Sequence, residues 1–398
     1  MKRFALALAF FAACLAACSS PAPGGDAAGA GGGEEKTPLL FGIGMHIEPI
    51  GATAQLSSAQ AANGPDYNNP QTFQKGVEGI EAVAAIVEAH DGKLTVQAQS
   101  PFTTAAVAAG SSVLSDLEDA GHEVGLHFHE DAHLGAAGND LPVDRWCEVM
   151  REEVDFIHEA GVERVTFWSG GNLYPHAYAA ARCAGLSVNG DWKNPETQGQ
   201  PAELAGSSPW RPAGGTDGVD VSAFATHDPE GAIVFVPDGR AERGGFGPET
   251  RDAAGADEAY FAYLEQSLIE AIQGVDEGKV NVFHFVIHPG EYRGDPDNQY
   301  AIIDRFLTEV VDPYVAEGLL EWATMTEMAE AFESWEVEHP GEDPRAGAAA
   351  VSAPPPASTP TAPATKPLRP VAETTRSTDG ARPRGASADV FDKHIGKD

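Results

Sequence analysis

Positive charge is scarce in this chain: 25 Lys and Arg stand against 60 Asp and Glu, a formal net charge of −35 over 398 residues. That balance argues against a nucleic-acid partner and against an anionic membrane surface read through basic patches. It favours solubility and names no substrate. Long apolar runs are missing too. Phe4 to Ala13 is the most apolar stretch, well short of the ~20 residues that a membrane-spanning helix needs. Cysteine is sparse, with four residues in all. Between Thr37 and Val337 there is no linker-like segment and no clear repeat, so residues 37–337 read as one domain.

The ends have a composition of their own. Lys2 and Arg3 precede the apolar run, which gives way to small residues and a cysteine, the three parts of an export signal. Leu15-Ala16-Ala17-Cys18 resembles the lipobox of bacterial lipoprotein precursors, in which the chain is cut before a cysteine that carries lipid. The resemblance implies a signal over residues 1–18, lipid on Cys18, and a membrane held through that anchor. The domain would then work in the cell envelope, facing the periplasm or the exterior. The plainer reading is an ordinary secretory signal with a cysteine at that place. Residues 19–36 are Gly, Ala and Pro with little to bury and are expected to form a flexible tether, roughly 20–25 Å in reach. Residues 338–398, rich in Pro, Ala, Thr and Ser, are expected to be disordered. With Cys14 in the signal and Cys18 lipidated, Cys147 and Cys183 remain. In an oxidising compartment they pair; two separate buried thiols are the alternative.

Within the domain, short apolar runs alternate with amphipathic stretches. Strands are expected at Leu39–Glu48, Lys93–Gln99, Glu123–His129, Arg164–Trp168, Leu186–Asn189, Ala232–Val236, Val280–His288 and Leu319–Thr324. Helices are expected at Gln71–His90, Thr103–Ala120, Asp144–Ala160, Pro175–Ala184, Tyr260–Val275, Tyr300–Val315 and Glu327–Trp335. Repeated strand–helix order predicts an α/β fold, a parallel sheet with helices outside. Seven or eight units suit a distorted (β/α) barrel, with an open doubly wound sheet as the other solution.

Three strands end in ionisable residues, and side chains alternate faces along a strand. Leu39, Phe41, Ile43, Met45 and Ile47 share one face of the first strand; Gly42, Gly44, His46 and Glu48 share the other. Val124, Leu126 and Phe128 oppose Glu123, Gly125, His127 and His129. Phe283, Phe285 and Ile287 oppose His284, Val286 and His288. If the apolar faces meet outer helices, His46, Glu48, His127, His129 and His288 point inward at the C-terminal strand ends, where barrels of this kind carry their sites. Gly42, Gly44 and Gly125 would leave space beneath them. Imidazole and carboxylate are ligands for a divalent first-row ion, zinc above all, and His-x-His on one strand face lets two rings meet one ion. A lone buried histidine is more often a satisfied core residue; five on one parity at one end make a site. His284, one step deeper, is expected in the core or behind the site, and His122, on the opposite register, outside it.

At these residues the chain resembles the polysaccharide deacetylases with NodB homology. Ala120-Gly-His-Glu-Val-Gly-Leu-His-Phe-His129 is similar to the family's Gly-His-Glu-Ile-Gly-x-His motif, Phe167-Trp-Ser-Gly-Gly171 to its Phe-Arg-x-x-Gly motif, and Phe285-Val-Ile-His-Pro289 to its late Leu-His motif. The resemblance implies a distorted barrel that removes acetyl groups from N-acetylated sugars. It implies a metal held by a carboxylate and two histidines, a second carboxylate as base, and the late histidine as acid. His127 matches the first metal histidine and His288 the acid. Elsewhere the chain departs. The first strand ends His46-Ile47-Glu48 rather than in paired aspartates. The second metal-histidine position is Asp131, flanked by His129 and His133, and Trp168 replaces the arginine.

The expected site therefore has His46, His127 and His129 on the ion. Glu48 completes the shell or takes a proton, and His288 acts as general acid. Asp131, His133 and Trp168 are expected to line the mouth and meet the glycan. Arg211 stands in for the missing arginine or is a plain surface residue. Two other classes compete. A glycosidase on a related barrel would need a second carboxylate across the scissile bond. A surface lipoprotein could bind sugar or metal without turnover.

Overall fold

The computed structural model describes residues 37–48, 66–135, 137–170, 177–190, 204, 206–214, 221–239, 256–288 and 300–346. The export signal with Cys18, the tether and the tail beyond 346 lie outside the described residues.

Eight parallel strands curl into a half-barrel in the order β6-β5-β4-β3-β2-β1-β7, with β8 against β1. They are β1 Leu39–His46, β2 Leu94–Ala98, β3 Glu123–Phe128, β4 Phe167–Gly170, β5 Val188–Gly190, β6 Val234–Val236, β7 Asn281–Ile287 and β8 Leu320–Trp322. β1 is the hub. β7 runs along one edge of it from Leu39 to Met45. The other edge is shared: β8 pairs with Leu39–Phe41 and β2 with Ile43–His46. The fold is a distorted α/β barrel.

The helices are α1 Pro70–Ala89, α2 Phe102–Ala109, α3 Val113–Asp119, α4 Glu130–Leu134, α5 Val143–Glu159, α6 Ala177–Cys183, α7 Val221–Phe224, α8 Ala256–Gln273, α9 Ala301–Phe306, α10 Asp312–Ala316 and α11 Met325–Glu338. The single helix expected over 103–120 is two, because Gly110 takes a left-handed conformation (φ 64°) and closes α2. Between α9 and α10 the chain widens into a π-helical stretch, Leu307–Val311, just before Pro313. Outward-facing Phe41, Val96, Leu126 and Phe285 join the helices' apolar stripes in the main core. Cys147 on α5 and Cys183 on α6 form a disulfide, with Cα atoms 5.6 Å apart.

The concave face is filled from within by the last helix. α11 starts under β2 and β3: Met325 N donates to Thr95 Oγ1 (3.3 Å) and Thr326 N to Glu123 Oε2 (3.2 Å). It ends near β7, where Trp335 Nε1 donates to Gly278 O (2.6 Å). Met325, Met328, Ala329, Phe332 and Trp335 fill the concavity with Phe167, Val188, Val234, Val236 and Val282. Its start is fixed by a capping box between Thr324 and Glu327.

This corrects two expectations. The inward glycines do not leave empty space. A Cβ at Gly42 would stand 2.8 Å from Ala323 O, one at Gly44 2.8 Å from Gln97 Nε2, and one at Gly125 2.9 Å from Phe167 O. They are small because neighbours press against them. The tail also starts later than residue 338, since the Arg345 guanidinium lies 4.2 Å over the Trp210 ring and bonds Ala225 O.

Candidate metal centre

The site is built where β1, β3 and β7 run out. Register sets the height: His46 is level with Gln97 of β2, His127 with Ser169 of β4, and Met45 with Ile287. Because Gln97 is also level with Gly125 of β3, His127 stands two residues beyond His46, so the side chains come off in steps, with His46 and His288 lowest, Glu48 and His127 next, and His129 furthest out. Glu48 is the centre. Its Oε2 is 2.8 Å from His129 Nε2; its Oε1 is 3.1 Å from His288 Nε2 and 3.8 Å from His127 Nε2. The His46 ring stacks on His127 at 3.8 Å and meets His288 edge-on at 5.2 Å. The donors form two overlapping groups, not one point. Glu48, His127 and His129 make one, and His46, Glu48 and His288 the other, each with ligand atoms within 4.8 Å of one another. His46 and His127 are buried, whereas Glu48, His129 and His288 are about a third exposed or less, so the cluster opens on one side.

Burial alone would raise the Glu48 carboxyl. Hydrogen bonds from His127, His129 and His288, with the charge of His129, reverse this and hold it well below the usual carboxylate range. Glu48 is therefore an anion facing imidazoles. Burial, then the Glu48 charge, raises the nearby Tyr67 hydroxyl, which stays protonated and able to donate.

Beneath the rings sits a polar support that the sequence reading missed. Ser169 Oγ lies 2.7 Å from His127 Nδ1 and 3.4 Å from His46 Nε2, and it donates to Gln97 Oε1. A hydroxyl has one proton. With that proton on Gln97, the His127 Nδ1–H donates to Ser169, and Nε2 is turned toward Glu48: it donates there when it carries a proton and offers its lone pair to a cation that displaces that proton. That is the tautomer a metal ligand needs.

Other expected residues fall elsewhere. Trp168 is not at the mouth: it is 0% exposed and packs edge-on against Tyr178 at 5.4 Å. β4 alternates like any strand, so its inward residues are Phe167 and Ser169. His133 does not line the mouth either; it is buried against Phe128, Gln99 and Glu153. Arg211 does not replace the family arginine in the cluster. Its guanidinium is 2.8 Å from Glu336 and 3.1 Å from Glu333, both on α11. The Asp131 side chain lies outside the described residues. His284 is buried, 3.3 Å from Asp238, and His122 bonds Leu94 N and Glu88 outside the cluster.

No family model matches the chain, and no curated protein does. Solved structures do. The probable polysaccharide deacetylase of Pseudomonas aeruginosa PAO1 aligns over 76% of this chain and 93% of its own, at 16% identity and a TM-score of 0.50. The chain shares the fold of that structure. PuuE allantoinase matches equally well, over 76% of this chain and 92% of its own, at 15% identity and a TM-score of 0.50. The barrel thus accompanies more than one named activity, and the reaction has to be argued from the site.

Proposed function

We propose that this protein is a metal-dependent hydrolase that removes acetyl groups from an N-acetylated polysaccharide or a related amide outside the cytoplasm. One observation carries the reading: a single ionised carboxylate with four imidazoles around it at the mouth of a deacetylase barrel. The donor set fits a divalent first-row ion, zinc above all. His127, with its tautomer fixed by Ser169, His129 and Glu48 would hold it, with His46 stacked on His127 beside them. When bound, the ion supplies Lewis-acid polarisation of the amide carbonyl and lowers the pKa of a water toward neutrality.

The residues supply the rest. Glu48 is the one carboxylate in the cluster among the side chains described, so it anchors the cation and receives the proton that the attacking water gives up. His288 has its Nε2 3.1 Å from Glu48 and is partly open; it delivers a proton to the leaving amine, a step worth about 10²–10⁴-fold in rate. A retaining or inverting glycosidase uses two carboxylates, and among the described side chains this cluster offers one. The glycan partner is supported by the likeness to the probable polysaccharide deacetylase of Pseudomonas aeruginosa, and the envelope location by the lipobox and the Cys147–Cys183 bridge.

Elemental analysis of purified protein, coupled to acetate release from N-acetylated oligosaccharides, tests the reading. One bound divalent ion with acetate release is the expected result. Reducing ends without acetate mean a glycosidase; bound metal or sugar without either product means a binding protein.

A further inference from the structure

β1 ends at His46 and β3 at Phe128, with one more backbone bond from Ile47 N to Gln97 O (2.9 Å), and Glu48 and His129 lie beyond those ends. Gln99, the residue after β2, spans the gap. Its Nε2 donates to Ile47 O (3.1 Å) and its Oε1 accepts from His129 N (3.2 Å). One amide thus grips the backbone beside Glu48 with its nitrogen and that of His129 with its oxygen. The grip works in one orientation only: turned over, the amide would set oxygen against oxygen and N–H against N–H. His133 reinforces that orientation: its ring Nε2 also lies 2.8 Å from Gln99 Oε1, where an imidazole N–H donates to the oxygen and strengthens the grip. The ring is held in turn. Glu153 Oε1 is 3.3 Å from His133 Nδ1, and Glu153 is pinned by Ser100 N and Ser100 Oγ, both at 2.7 Å. Phe128 stacks on the ring at 5.2 Å. Gln99 is 0% and Glu153 3% exposed, and the His133 side chain is 6% exposed.

We propose that His133, with Glu153, is a positioning residue that sets the Gln99 amide and through it the placement of Glu48 and His129. The proposal rests on the metal-site reading for its consequence, and on hydrogen bonding alone for its geometry. Partners that orient metal ligands typically change affinity about 10–100-fold when lost.

The test compares His133→Phe, which keeps a flat ring against Phe128 but removes the donor, with His133→Gln, which restores an N–H. Hydrogen exchange of the metal-free full chain gives the first readout. The His129 amide should exchange at least about tenfold faster in His133→Phe and recover in His133→Gln, with Gly125 and Leu126 amides unchanged. An unchanged His129 amide, or acceleration spread evenly through β3 and α5, overturns the proposal. Cobalt binding followed by its visible spectrum gives the second: affinity should fall about 10–100-fold in His133→Phe and recover in His133→Gln. If the wild-type protein binds no divalent ion, the hydrolase reading fails, while the His129 amide still decides the role of His133. If His133→Phe does not fold, Glu153→Gln takes its place, with a smaller acceleration at the same amide expected and none overturning the proposal.

Discussion

The half-barrel holds a partly buried carboxylate at each end, and the two are treated in opposite ways. At the mouth, Glu48 is ringed by imidazoles that can carry charge, and its carboxyl sits well below the usual range. At the floor, Glu123 accepts from Thr95 Oγ1 (2.9 Å), Thr326 N (3.2 Å) and Thr326 Oγ1, all neutral donors. Burial there pushes the carboxyl up, and those bonds pull only part of it back. Both are Glu on the inward parity of a strand. The difference lies in the partners: groups that can become cations leave an anion ready for a metal, whereas hydroxyls make a rivet between β3 and α11.

Glu48→Gln tests the mouth most directly. Deacetylase activity should drop about 10²–10⁴-fold and bound metal should be lost, with the urea midpoint of the metal-free protein somewhat lowered, because a depressed carboxyl pKa marks an anion that the fold stabilises. A variant that keeps its metal and rate would erase the distinction between the two ends. Glu123→Gln should do the reverse. An amide N–H turned against a hydroxyl or backbone donor costs about 1–3 kcal/mol, read by urea unfolding, while acetate release stays near wild type. Loss of activity at unchanged stability would make the floor part of the site. Next in size is Thr324→Ala, which breaks the capping box of α11 and should cost about 1 kcal/mol without altering metal content.

The smallest effect concerns pH. His90, at the end of α1, lies 2.8 Å from Asp312 and 3.2 Å from Asp304. Burial would lower its pKa, but those two carboxylates raise it further. The folded value therefore exceeds the unfolded one, about 6.5. Its stabilisation is full below that value and disappears as pH rises through the folded one. The urea midpoint should decline slightly from pH 6 to pH 8.5, and His90→Gln should flatten that decline while leaving the mouth untouched. A decline of the same size in His90→Gln would place the titrating group elsewhere.

Strand alternation made the barrel and the inward parity of His46, Glu48, His127, His129 and His288 legible, because a two-residue period leaves few choices. What escaped has identifiable causes. Ser169 was hidden by matching a motif at Trp168 instead of counting parity along β4, which puts Trp168 outside and Ser169 inside. His133 lies in a short helix, α4, that no periodicity announces in five residues, so its return into the core was unreadable. α11 looks like any amphipathic surface helix in sequence. Nothing in its stripe distinguishes covering a sheet from filling its hollow, and the pressure on Gly42 by Met328 and Ala323 became visible only in three dimensions.

That filling helix has a consequence for how the chain becomes a protein. The concave faces of β4 to β7 find their apolar partners in residues 325–335, and β1 finds β8 at residues 320–322. A nascent chain stopped anywhere before that point has strands whose inner sides meet only water, and contacts this distant in sequence are slow to form. The domain can therefore close only after almost all of it has been synthesised. A chain held open so long stays threadable, and a premature stop just upstream of Met325 should yield an aggregation-prone product rather than a smaller barrel.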